Sequence, residues 1–239
     1  MKKALLYIVF IFLIGGLFFL YGFSSARNSA KKVHDISIEF DSGVNEFLTY
    51  EMVNKLLIQN KEIVSNKAKS IIDLQGLEYA VVSNPYIEKA NVFLTINGSL
   101  KATVKQRTPI ARINTTKESY YLDKQGVKMP LSVNYSARVM LVSGEILAID
   151  YQEIKEFVNQ ILADDFLRKE IVGIEKTATN EFVLRVRSGK QRIEFGKLVD
   201  VNVKFIKLKA FYNTTFVDKT IEKYKTINLK YHNQVVCTK

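Results

Sequence analysis

The chain has 239 residues, 47% hydrophobic and 25% charged, with three prolines, eleven glycines in no repeat and a formal net charge of +11. These proportions exclude a collagen-like, coiled-coil or largely disordered chain, and the length suits one large domain or two small ones. A single cysteine, Cys237, excludes an internal disulfide and a C-x-x-C site, and two histidines, His34 and His232, are too few for a histidine-rich metal centre.

The charge is unevenly placed. Lys2, Lys3, Arg27, Lys31 and Lys32 stand in the first 32 residues with no acid among them, and subtracting those five from +11 leaves +6 for the rest. There, bases and acids interleave with no RNA-binding or zinc-finger signature, so nucleic acid is not an expected partner. The five bases flank residues 4–23, ALLYIVFIFLIGGLFFLYGF, a run without charge. As a helix it is roughly 30 Å long, enough to cross the hydrocarbon core of a bilayer. Tyr7 and Tyr21 lie towards its ends, where aromatic rings favour the headgroup boundary. Its length favours an uncleaved anchor over a signal peptide cut after Ser24-Ser25-Ala26, since signal h-regions run about 7–15 residues. Residues 1–3 then form a short cytoplasmic tail, with the folded mass across the membrane. Residues 24–33 read as a polar linker with little to bury.

Residues 34–107 read as a small α+β layer. Ile36, Ile38 and Phe40 alternate with polar neighbours as a half-buried strand. Thr49 caps a helix through about Gln59, with Met52, Val53, Leu56 and Leu57 on one face. Asp73 caps a second helix carrying Leu74, Leu77, Ala80 and Val81, which stops near Asn84-Pro85 because the residue before proline avoids the helical region. Ala90, Val92, Leu94 and Ile96 alternate next, Asn97-Gly98 suggests a type I′ hairpin turn, and Leu100, Ala102 and Val104 line the return strand. The order is β-α-α-β-β.

Residues 108–239 read as a β-rich second domain with two helices. Strands are expected at 110–114, 119–122, around 139–142, at 182–187 and at 192–195, with Asp123-Lys124-Gln125-Gly126 as a turn. Asp150 with Glu153 resembles a capping box ahead of Ile154, Phe157, Val158, Ile161 and Leu162 at amphipathic spacing. A further helix is expected from Asp200 to Tyr212, with Val201, Phe205, Leu208 and Tyr212 inward. A last strand covers Thr226, Ile227, Asn228, Leu229, Lys230 and Tyr231.

Motifs for chemistry are missing. No glycine falls in a G-x-G-x-x-G or phosphate loop, and no G-x-S-x-G elbow presents a serine. His34 and His232 stand apart from any motif. Asp164-Asp165 reads as the solvated end of the helix that starts at Asp150, and Lys204, Lys207 and Lys209 as the wet face of the Asp200 helix. No enzyme, cofactor, metal or small-molecule substrate is expected.

Several short fragments then carry a resemblance in their order and spacing. They are Phe47-Leu48-Thr49, Asn84-Pro85-Tyr86-Ile87-Glu88-Lys89-Ala90, Gln106-Arg107-Thr108-Pro109-Ile110-Ala111-Arg112, Tyr121-Leu122-Asp123 with Gly126, Phe195-Gly196-Lys197 and Ile227-Asn228-Leu229-Lys230-Tyr231. With the single N-terminal span, they make essentially the whole chain resemble the bacterial FtsQ (DivIB) cell-division family, and the ending Asn233–Lys239 resembles its Bacteroidota branch. The resemblance implies that residues 34–107 are a POTRA domain. It also implies a non-enzymatic divisome scaffold in the inner membrane, its bulk periplasmic, binding FtsB- and FtsL-like partners to control septum formation. A POTRA-bearing transport component is the alternative, but it calls for a following membrane barrel of long alternating strands. The partner site is expected on residues 226–231, as an edge strand that accepts an extended segment, with Tyr231 as the chief contact. An interior strand is the alternative for that stretch.

Overall fold

A computed structural model describes residues 2–33, 35–41, 45–59, 68, 71–217 and 220–239. Met1 of the expected tail and His34 at the expected domain boundary lie outside the described residues. The chain divides into two units, residues 1–106 and 107–239.

The first unit begins with α1 (Lys2–Ser29), a helix whose residues 7–29 are all exposed and which is long and apolar enough to cross a membrane. It therefore fits a single-pass anchor. The helix outruns the expected span by six residues, because Ser24, Ser25 and Ala26 neither break it nor add charge before Arg27. The linker is correspondingly shorter than the sequence suggests. Val33, placed in that linker, is fully buried in the core of the unit.

Strands β1 (Asp35–Phe40), β2 (Ile87–Leu94) and β3 (Ser99–Gln106) form a sheet in the order β1-β3-β2, with β1 parallel and β2 antiparallel to β3. The parallel pair needs a crossover, supplied by α2 (Tyr50–Gln59) and α3 (Leu74–Val82). The β-α-α-β-β order is the expected one. Thr49 accepts the Met52 amide and Asp73 accepts the Gly76 amide at 2.9 Å, so both expected caps form. Val53 and Leu57 are fully buried, but Leu56 is half-buried and Met52 exposed, so the inward face of α2 is turned from the expected one. Gly98 takes positive φ and Asn97 does not, so the turn is not type I′; the Gly98 amide instead donates to the Thr95 carbonyl. Ile96 leaves the alternating pattern and lies at the exposed hairpin tip.

Three of the resemblance fragments meet in this unit. Buried Gln106 accepts the Phe47 and Leu48 amides on its Oε1 and donates from Nε2 to the Leu48 carbonyl, at 3.1, 3.2 and 3.0 Å. Phe47 stacks on Tyr86 with ring centroids 5.6 Å apart. A short irregular segment is thus held to β3 by three hydrogen bonds from one side chain, which pair three of its buried backbone groups.

The second unit is a nine-stranded sheet. Its strands are β4 (Pro109–Asn114), β5 (Ser119–Asp123), β6 (Lys128–Pro130), β7 (Met140–Gly144), β8 (Ile171–Lys176), β9 (Phe182–Val186), β10 (Arg192–Gly196), β11 (Thr226–Asn228) and β12 (Val236–Thr238). The spatial order is β12-β11-β10-β9-β8-β7-β4-β5-β6. Strands β7 and β8 pair in parallel across α4 (Tyr151–Ala163) and α5 (Asp165–Glu170), and β10 and β11 across α6 (Val201–Val217). Strands β6, β8 and β12 and the helix α5 go beyond the expected elements. The last of these corrects the reading of Asp164: it accepts the Phe166 and Leu167 amides as the cap of α5 and pairs with Lys209 at 2.6 Å. That hydrogen bond from Lys209, ahead of the Leu167 amide, holds the Asp164 carboxyl below its ordinary range.

One apolar cluster joins the sheet to its helices. Phe157 of α4 stacks on Phe205 of α6 at 5.8 Å and meets Phe195 and Phe182 at 5.0 and 5.7 Å. Phe205, Leu208 and Tyr212 face inward as expected. Asp150 does not close a capping box through Glu153. Its carboxylate accepts the Leu147 amide and pairs with Lys176 at 2.7 Å, both side chains nearly buried.

Candidate partner interface

The expected site residues fall into two groups. Thr226, Ile227 and Asn228 form β11, which pairs with β10 on one side and β12 on the other. The edge strand expected at residues 226–231 is therefore interior, and Ile227 and Leu229 are fully buried. Lys230 and Tyr231 lie beyond the strand in the reversal towards β12, with Tyr231 51% exposed. Among the described residues, β12 is the strand with a neighbour on one side alone at this end of the sheet. An interior placement follows from chain length: residues 229–235 are enough to reverse the chain and lay one more strand on the outside.

The neighbourhood of that reversal is held by polar contacts. The Asn228 side chain donates to Glu194 at 2.8 Å and accepts the Lys230 amide at 2.9 Å. The Lys230 ammonium reaches Glu181 at 2.8 Å and Glu194 at 3.8 Å, and the Glu181 hydrogen bond raises its pKa. Lys207, expected on a wet face, donates to the carbonyls of Leu229, Tyr231 and His232 at 3.4, 2.6 and 3.3 Å. An ammonium has three donors, and all three find acceptors on one turn of chain. Glycine at 196 is explained here too: its φ is +75, and a Cβ would stand 2.9 Å from the Lys230 Cγ. The fragments Phe195-Gly196-Lys197 and Ile227–Tyr231 thus belong to one local arrangement.

Between α6 and the segment that leads into β12 lies a groove of about 420 Å³, whose lining includes Phe211, Thr215, Tyr224, Gln234 and Val235. Cys237 is half-buried in β12, and that burial raises its thiol pKa. The sequence signal for this strand is three residues, Val236-Cys237-Thr238, too short for any alternation to show.

Elsewhere several ionisable groups are tied into the scaffold. Arg107 pairs with buried Asp123 at 2.8 Å, and the other Asp123 oxygen accepts the Gln125 and Val127 amides at 2.9 and 2.7 Å, closing the turn in which Gly126 has φ +82. Buried Glu170 accepts the hydroxyls of Ser188 and Tyr212; burial and that carboxylate raise the Tyr212 pKa. A second cavity, of about 560 Å³ beside Tyr120, Leu147 and Tyr151, places the two tyrosine hydroxyls 2.9 Å apart. Its lining holds no histidine or cysteine, and its Lys176 is neutralised by Asp150. No cluster of three metal-ligating side chains occurs among the described residues.

No curated protein matches the chain. Residues 108–238 match the protein family described as FtsQ/DivIB, C-terminal related, which covers more than half of the chain and nearly all of the second unit. The chain therefore belongs to the FtsQ/DivIB family, with a role in cell division.

Proposed function

We propose that the chain is a non-enzymatic divisome scaffold, anchored in the inner membrane by α1 with its two units in the periplasm. The first unit acts as a POTRA domain. The second docks an extended segment of an FtsB- or FtsL-like partner as an added strand against β12. The observation that carries this reading is an end strand, β12, which among the described residues pairs with β11 alone, within the unit that matches the family. In strand addition, main-chain hydrogen bonds supply affinity and side-chain pockets supply specificity. Tyr231 and Lys230, at the reversal beside this edge, extend the surface available to such a partner.

Proline substitution tests the assignment. Proline lacks an N–H and is tolerated at sheet edges but not at paired interior positions. In β12 the amides of Val236 and Thr238 lie opposite Asn228 and Thr226 and face β11, so the outward amide is that of Cys237, and Cys237→Pro is expected to abolish co-purification of the FtsB-like partner while leaving the unit folded. Ile227→Pro is expected to unfold it. Retained binding by a folded Cys237→Pro variant would place the partner elsewhere. Depletion of the protein is expected to give filamentous cells.

A further inference from the structure

We propose that the β2–β3 hairpin tip of the first unit rests on the membrane surface, with Ile96 in the headgroup layer of an anionic bilayer. The inference rests on the reading of α1 as an anchor. Its basis is the shortness of the connection. Helix α1 ends at Ser29, and Val33 is already buried in the core of the unit, so Ala30, Lys31 and Lys32 alone join the two. Four chain steps reach at most about 14 Å when fully extended. Two contacts shorten even that: Lys32 forms a β-bridge with Ala68, and the Lys31 ammonium donates to the Ile96 carbonyl at 3.4 Å.

Height above the bilayer follows from the helix. Arg27 is the first charge after the apolar run, and Lys31 follows four residues later, about 6 Å further along the axis at helical rise. The headgroup layer on each side of the hydrocarbon is about 5–8 Å thick. Lys31, and the hairpin tip it contacts, therefore fall within that layer. What the tip presents suits it: Ile96 is 81% exposed, an apolar residue whose carbonyl receives the Lys31 ammonium. Asp35 pairs with Ser99 at the same end of the sheet. Along residues 27–35 the sequence carries three bases, Arg27, Lys31 and Lys32, and one acid, Asp35, a balance that favours anionic headgroups.

The test uses the full-length chain carrying Cys237→Ser and one new cysteine at a time: Ile96→Cys, Lys89→Cys or Ser24→Cys. Each is labelled with an environment-sensitive fluorophore and reconstituted into vesicles holding a headgroup spin-labelled lipid as quencher. Lys89 lies on β2, seven residues and roughly 23 Å along the strand from the tip. In phosphatidylcholine vesicles containing phosphatidylglycerol, quenching at position 96 is expected to exceed that at position 89 several-fold and to fall in phosphatidylcholine alone. Equal quenching at 96 and 89, with position 24 quenched, overturns the proposal and leaves the anchor intact. Absence of quenching at 24 removes the anchor and the proposal with it. Quenching at 96 that is indifferent to phosphatidylglycerol overturns the anionic preference.

Discussion

Removing the Asp123 carboxylate offers a measure of what holds the start of the second unit. One oxygen accepts two backbone amides and the other receives Arg107, with the Asp123 side chain 2% exposed. Asp123→Ala deletes all three contacts and strands Arg107, which retains Gln125 at 3.2 Å. Breaking a buried pair from one side costs about 3–5 kcal/mol, and the remaining Gln125 contact argues for about 3. At the usual unfolding entropy per residue, each kcal/mol moves the midpoint of a unit of this size by roughly 3–4 °C, so the melt is expected to fall by about 10 °C. Asp123→Asn separates the terms, because its carbonyl oxygen can keep both amide bonds while its amide group faces Arg107. It is expected to cost less than the alanine variant. Thermal melts, with hydrogen exchange over residues 107–130 to locate the loss, provide the readout. A loss below about 1 kcal/mol for Asp123→Ala would falsify the account, since changes at neutral surface sites stay near half that value. Equal losses for the two variants would show that the charge, rather than the amide bonds, carries the effect.

Other consequences are equally direct. Leu57→Ala is expected to destabilise the first unit by about 2–5 kcal/mol and Leu56→Ala by clearly less, since the first side chain is fully buried and the second half-exposed; urea titration distinguishes them. Gly144→Ala places a Cβ 2.0 Å from the Lys176 carbonyl oxygen at φ +117, so more than the about 1–3 kcal/mol of a strained backbone residue is expected in the same measurement. The Asp164 carboxyl is held below its ordinary value of 3.8, so its stabilisation is present above that pH and disappears as pH falls through the folded value. Melts in acid are thus expected to fall less steeply for Asp164→Asn than for the parent. Cys237, with its pKa raised by burial, is expected to react with iodoacetamide more slowly in the folded chain than in urea, and more slowly again with a partner strand in place.

Local pattern determined a good deal of this protein. Twenty uncharged residues specify the apolar helix without any neighbour, because its length and composition alone match a bilayer. Alternation of Leu100, Ala102 and Val104, and the helical spacing of Ile154, Phe157, Val158 and Ile161, mark faces that are buried in the structure. Thr49, Asp73 and Asp123 reveal a helix start or turn because each acts on amides two to four residues away. The tertiary structure decided what depends on distant partners. Asp150 looks like a helix cap until Lys176, 26 positions on, takes its carboxylate. Gln106 carries no local signal, yet it binds Phe47 and Leu48 across most of the first unit. Strand alternation reports which side chains point inward, but not which strands lie beside one another. Residues 226–231 therefore read as an edge until the chain returns and lays β12 outside them. The end of the sheet falls on three terminal residues because strand order in a sheet is set by nonlocal pairing, through crossovers such as α6, and that pairing leaves no periodicity in the sequence.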